Sequence, residues 1–194
     1  RITAPGGVAI ATSGANTTIR GVAVDLSAPD QTGIEVRGPD TTVSHGRVTG
    51  SDHPGQTGIR LLGASDAVER TKVDLPNAER GTAVVTRGAY ATVVQSDLTA
   101  ATYGIHASAA TLPERTVSGC EFAGNDFRQS GSGPAVGLYL EGCAQTRVAS
   151  NDFLALFNPI LIDGLMANTT IDGNHNSGHE FGTVTGRKRR CGWF

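Results

Sequence analysis

Asp52, His53 and Arg60 are the residues whose types best suit catalysis. An arginine fork grips a carboxylate through two parallel hydrogen bonds. A histidine with a pKa of about 6.5 is largely neutral at pH 7 and can take up a proton. Together they suit proton abstraction beside a neutralised carboxylate, with Asp52 next to the base. Arg87 and His106 repeat the arginine–histidine pairing, and Glu35, Arg37, Tyr139 and Glu141 complete a candidate substrate-binding set. The competing account is structural, because mixed surface charges also keep a repetitive fold soluble and its strand edges unpaired. No phosphate loop, nucleophile elbow or metal-ligand spacing occurs, so no metal or other cofactor is expected.

Composition limits what can position these groups. Glycine supplies 26 of 194 residues, aromatic residues 5% and charged residues 18%, which excludes a coiled coil, a long-helix bundle or a highly charged disordered chain. The longest apolar stretch, Phe153 to Met166, is interrupted by Asn158, Pro159 and Asp163, so membrane insertion is not expected. Formal net charge is -2, but Arg187, Lys188, Arg189 and Arg190 leave 12 basic against 18 acidic residues in the rest. An acidic body is a poor phosphate-backbone binder, so nucleic acid is not an expected partner. The three cysteines, Cys120, Cys143 and Cys191, are odd in number and lack zinc-type spacing.

Repeats set the architecture. TGIEVRGPDTTVSHGRV from Thr32, TGIRLLGASDAVERTKV from Thr57 and TAVVTRGAYATVVQSDL from Thr82 share an apolar anchor, a glycine four residues on, and apolar residues nine and fourteen on. Anchors recur at Ile10, Ile34, Ile59, Val84, Ile105, Leu138 and Ile162. A second column reads Ile19, Val43, Val68, Val93, Val117, Val148 and Ile171, and a third Val24, Val48, Val73, Leu98, Phe122 and Phe153. Three short β-branched clusters per repeat, punctuated by glycine, predict three short strands per coil. One repeat cannot bury its own inner face, whereas stacked repeats share a core. The prediction is an all-β chain, a single-stranded right-handed parallel β-helix of about seven coils. Residues 1–178 would form this solenoid and 179–194 a C-terminal basic tail.

The segments GLYLEGCAQTRVASNDF (137–153) and LIDGLMANTTIDGNHNSG (161–178) resemble repeats of the right-handed parallel β-helix, or pectin-lyase-like, superfamily. In that family an asparagine often occupies the tight turn between the second and third strands. Asn151 and Asn174 match it, while Gly46, Thr71, Ser96 and Cys120 hold the equivalent place. The resemblance implies that the outer face of the first strands, with the turn before them, carries a polysaccharide partner. Outward positions there hold Glu35, Arg60, His106, Tyr139 and Asp163, then Arg37, Arg87 and Glu141, with Asp52 and His53 in the turn. It implies lyase or epimerase chemistry, if any, in an extracellular or virion setting. Hydrolysis is disfavoured: Glu35 and Glu141 lie four coils, roughly 19 Å, apart, whereas a hydrolytic carboxyl pair needs about 5 to 10 Å. The non-catalytic alternative is a rigid stalk, adhesin or tail-spike segment. Because the repeat begins by Gly7, a longer chain or a partner is expected to cover the N-terminal coil.

Overall fold

The computed structural model describes residues 1–3, 6–76, 79–108, 117–130, 135–154, 156, 158–164, 166–176, 179–180 and 185–187. Among these there is no helix, and the chain winds as a parallel β-solenoid of about six turns with three strands per coil. One coil serves as the pattern: Thr32–Val36, Thr42–Ser44 and Arg47–Thr49. Each strand pairs in parallel with its equivalents one coil away, so three sheets run along the solenoid. Near the C-terminus His179–Glu180 pairs antiparallel with His175–Asn176, and Thr185–Arg187 joins the first-strand sheet beside Leu161–Asp163. The strip Gly131 to Pro134, read from sequence as a flexible loop, lies outside the described residues.

The predicted stacking of Ile34, Ile59 and Val84 is observed, and it continues through Ile105, Leu138 and Ile160. In the last coil the anchor is therefore Ile160, while Ile162 stacks on Leu140. The fifth coil departs further from the sequence reading. Val93 pairs with Phe122, and Leu98 with Phe127. The sequence-derived columns had Val117 and Phe122 in those places. The cause is an insertion: Ile105 to Phe122 spans eight more residues than Val84 to Val93. Val117 instead pairs with Cys143 in a separate three-stranded sheet.

The core is filled from three sides. Ile34, Val36, Val43 and Val48 are all 0% exposed, and burying side chains of this size stabilises by about 1.5–3 kcal/mol each. From Ile34 to Leu138 the residue before the anchor is small, because it faces the third strand. A Cβ on Gly33 would fall 2.8 Å from Val48 Cγ1 and 2.6 Å from the Gly58 carbonyl oxygen. Gly58, Ala83, Gly104 and Gly137 hold the same position, with Gly104 and Gly137 against Phe127 and Phe153. Much of the glycine excess is thus a packing requirement.

The turn between the second and third strands carries a hydrogen-bonded ladder. Backbone N–H groups donate to the side chain one coil on: Gly46 to Thr71 Oγ1 at 3.3 Å, Thr71 to Ser96 Oγ at 3.2 Å, and Ser96 to Asn125 Oδ1 at 3.0 Å. Asn125 and Asn151 continue it to Asn151 and Asn174 at 3.0 and 3.1 Å. Asn125, not Cys120, is the fifth-coil member. Cys120 belongs to the turn before the second strand, in a column with Thr41, Asp66, Ala91 and Thr146. Left-handed residues mark both turns, among them His45 (φ 54), Asn16 (φ 53) and Asn168 (φ 48). In the recurring tripeptides Asn16-Thr17-Thr18 and Asn168-Thr169-Thr170 the asparagine thus serves the turn, because it tolerates this conformation.

Candidate functional site

Strand alternation turns one residue after each anchor outward, giving the column Glu35, Arg60, Val85, His106, Tyr139 and Leu161. Two positions on, a parallel column holds Arg37, Leu62, Arg87, Ser108 and Glu141. Asp163 moves with its shifted coil from the first of these columns to the end of the second. Two side-chain clusters form on this face.

In the first, Glu35 is 4% exposed and is gripped from both sides. Arg37 Nε donates to Oε1 at 2.7 Å, and Arg60 Nη1 donates to Oε2 at 3.1 Å from the next coil. Thus the structure brings together Glu35, Arg37 and Arg60. Asp52 and His53 lie exposed in the turn before Thr57–Leu61. Among the described residues neither makes a hydrogen bond or ion pair with that trio. Arg87 is exposed and its side chain makes no hydrogen bond or ion pair among the described residues.

The second cluster is aromatic and acidic. His106 Nε2 lies 3.2 Å from Glu141 Oε1. The His106 and Tyr139 ring centroids are 5.0 Å apart, and Tyr103 lies 5.2 Å from His106 and 5.3 Å from Tyr139. The Tyr103 and Tyr139 planes meet at 19°, an arrangement worth about 0.5–1.5 kcal/mol beyond burial. Burial, then the Asp163 and Glu141 carboxylates, push the Tyr139 phenol above its usual value, and Asp163 accepts its hydrogen bond. Tyr103 escaped the sequence reading. Its signal was an aromatic ring where the preceding coils place Thr32, Thr57 and Thr82.

Elsewhere the ion pairs are ordinary neighbours across coils, such as Lys72–Asp97 at 3.0 Å and Arg147–Glu121 at 2.6 Å, each contributing about 0–1 kcal/mol. No group of three metal-ligating side chains occurs among the described residues. A surface hollow of about 310 Å³ near the N-terminus, lined by Arg1, Asp25, Arg47 and Thr49, is formed on the third-strand sheet and lacks aromatic groups.

Comparison with known proteins places this geometry differently from the pectin-lyase-like resemblance. A family model described as adenylosuccinate synthetase matches residues 65–194. An adenylosuccinate synthetase of Herminiimonas arsenicoxydans is 43% identical over 89 residues, covering 43% of this chain and 18% of the relative. Its counterpart in Aromatoleum aromaticum is 42% identical over 86 residues, covering 43% and 18%. A Vibrio cholerae adenylosuccinate synthetase is 34% identical over 119 residues, 60% of this chain and 23% of its own length. The chain thus spans about a fifth of the length of these relatives. No solved structure matches it.

These matches overturn membership of the pectin-lyase-like superfamily. The columns and turn ladder that carried the resemblance report how the backbone winds, which is indifferent to reaction. The polysaccharide partner, the lyase or epimerase chemistry and the stalk, adhesin or tail-spike alternative fall with it. So does the ground on which an extracellular or virion setting rested. Of the candidate residues, Arg87, His106, Tyr139 and Glu141 lie inside the matched stretch, whereas Glu35, Arg37, Asp52, His53 and Arg60 precede it.

Proposed function

The chain belongs to the adenylosuccinate synthetase family, and we propose from that premise that the protein takes part in forming adenylosuccinate, a nucleotide carrying a succinyl group. The observation that supports the reading is the family match across residues 65–194, which takes in the later coils and the basic segment from Arg187 to Arg190. The outer face agrees in kind. Arginine forks suit phosphate and carboxylate groups, and aromatic rings suit a base.

The test is complementation joined to direct detection. A strain unable to make adenylosuccinate, supplied with the full-length protein, is expected to grow without added adenine and to accumulate adenylosuccinate measurable by mass spectrometry. Absence of both growth and product, with the protein present in soluble form, overturns the reading.

A further inference from the structure

The two ends of the solenoid are finished differently. Near the C-terminus the chain covers its own strands: His179–Glu180 pairs with His175–Asn176, and Thr185–Arg187 lies beside Leu161–Asp163. At the N-terminal end Ile2–Thr3, Val8–Thr12 and Thr18–Arg20 are the outermost strands of their three sheets. Among the described residues no strand pairs with their outer edges. We propose that this end is the docking surface for a second copy of the chain, which adds its own three edge strands about a two-fold axis. The inference goes beyond the adenylosuccinate reading and does not depend on it.

The core is open at this end. Ile10 and Ile19 are only partly buried and Ile2 is 38% exposed. One coil on, the same columns hold Ile34, Val43 and Val24, which are 0%, 0% and 1% exposed. The edge also carries no deterrent: Val8–Thr12 reads VAIAT, without the charge or proline that keeps an open strand from pairing. Its shape is self-complementary. Val8–Thr12 lies between the other two strands along the spiral, so an axis beside Ile10, perpendicular to the solenoid, sets that strand antiparallel to its own copy. The same axis sets Ile2–Thr3 of each chain against Thr18–Arg20 of the other. Ile10 then meets Ile10 and Ile2 meets Ile19, while Arg20 arrives beside an Arg1 whose charge Asp25 balances. A rung of about twenty residues, each presenting roughly 3.3 Å by 10 Å end-on, covers about 650 Å² on each copy and about 1,300 Å² in all, within the range of specific interfaces. Such a two-fold contact closes as a dimer. Head-to-tail stacking would need free edges that the chain itself occupies on two of the three long sheets at the C-terminal end.

Sedimentation equilibrium of the native protein over a range of concentrations is expected to show monomer and dimer and nothing larger. Ile2→Lys and Ile10→Lys, which set like charges against an apolar face, should each weaken self-association by at least about a hundredfold. Ile171→Lys places the same charge at a partly buried position of the opposite end and should leave the dimer intact. Circular dichroism and thermal midpoints establish that each variant is folded. Oxidative cross-linking reads the axis directly. Two Ile10→Cys chains would bring their Cα atoms to about 4.5–5.5 Å, within disulfide reach, whereas two Val8→Cys chains would hold theirs about 13 Å apart. A covalent dimer is therefore expected from Ile10→Cys and not from Val8→Cys, nor from the native protein oxidised alongside. The proposal is overturned if the native protein is monomeric throughout, if species larger than the dimer accumulate, if Ile171→Lys dissociates the dimer as Ile10→Lys does, or if Val8→Cys cross-links as readily as Ile10→Cys. None of these outcomes bears on adenylosuccinate formation, which the complementation experiment reads separately.

Discussion

Two halves of the solenoid solve the same winding problem with different side chains. Up to Leu98 the third-strand column is Val24, Val48, Val73 and Leu98, and the turn ladder uses Thr71 and Ser96. Beyond it the column is Phe127 and Phe153, and the ladder is Asn125, Asn151 and Asn174. The hydroxyls return their proton within their own turn, Thr71 to the Glu69 carbonyl at 2.9 Å and Ser96 to that of Val94 at 3.0 Å. The amides reach across coils: Asn125 Nδ2 to the Val93 carbonyl at 2.8 Å, Asn151 Nδ2 to Phe122 at 2.9 Å and Asn174 Nδ2 to Val148 at 3.1 Å, the last also donating within its own turn to the Asp172 carbonyl at 3.0 Å. The amide half is also where the coil length varies. A ladder that donates and accepts between coils keeps register where chain spacing no longer does.

The largest expected effect tests the column. Phe153 is 0% exposed and stacks on Phe127 with centroids 4.6 Å apart and planes 6° from parallel. Phe153→Ala should cost about 3–5 kcal/mol in urea unfolding, by lost transfer energy and the cavity left behind. Val73→Ala in the regular half removes far less volume and should cost about 2 kcal/mol. Equal losses would erase the distinction between the halves.

Next comes the ladder itself. Asn151 is 0% exposed and its Oδ1 accepts from both the backbone and the side chain of Asn125. Asn151→Ala strands the Asn125 N–H and takes an acceptor from the Asn125 side-chain amide, buried losses costing about 1–3 kcal/mol each. Ser96→Ala strands only the Thr71 N–H and should cost roughly half as much. Hydrogen exchange adds the local readout: the Asn125 amide should exchange faster in Asn151→Ala, whereas in Ser96→Ala the loss of protection belongs to Thr71.

The same contrast explains what the sequence could and could not disclose. In the regular half Ile34, Ile59 and Val84 stack as the repeat predicts, because equal chain spacing between turns translates directly into register. In the fifth coil the eight residues inserted before Phe122 leave Val117 at the expected spacing from Val93, and apolarity alone does not distinguish the two. The Glu35–Arg60 contact was legible, since both occupy the same outward column in adjacent coils. Tyr103 was not, because an irregularity of the strand sets the residue before Ile105 inward, as Gly104 against Phe127 shows, and frees Tyr103 to lie on the outer face. Strict alternation cannot express that. Likewise the need for a small residue before the anchors from Ile34 to Leu138 is set by the facing third-strand side chain, which repeat spacing does not name.

Asp66 offers the smallest and most conditional effect. It stands in the regular half, in the turn before the second strand, 0% exposed, with Oδ1 accepting from the Thr41 N–H at 3.0 Å. Its Oδ2 is buried and has no hydrogen-bond partner among the described residues. Burial pushes this carboxyl above its ordinary value, against the opposing hydrogen bond from Thr41. A folded-state value above the unfolded one means that the native protein holds the proton more tightly. Stability from this group is therefore complete below the unfolded carboxyl value of about 3.9 and is lost as pH rises through the folded value. Asp66→Asn keeps the acceptor for Thr41, removes the buried charge and installs the kind of neutral amide that the other half uses in its ladder. Thermal midpoints should show the variant ahead of the native protein at pH 7, with the advantage shrinking steadily toward pH 4. A difference that stays constant across that range would mean that the charge on Asp66 is not what distinguishes it from the amides, and that the two halves differ in packing alone.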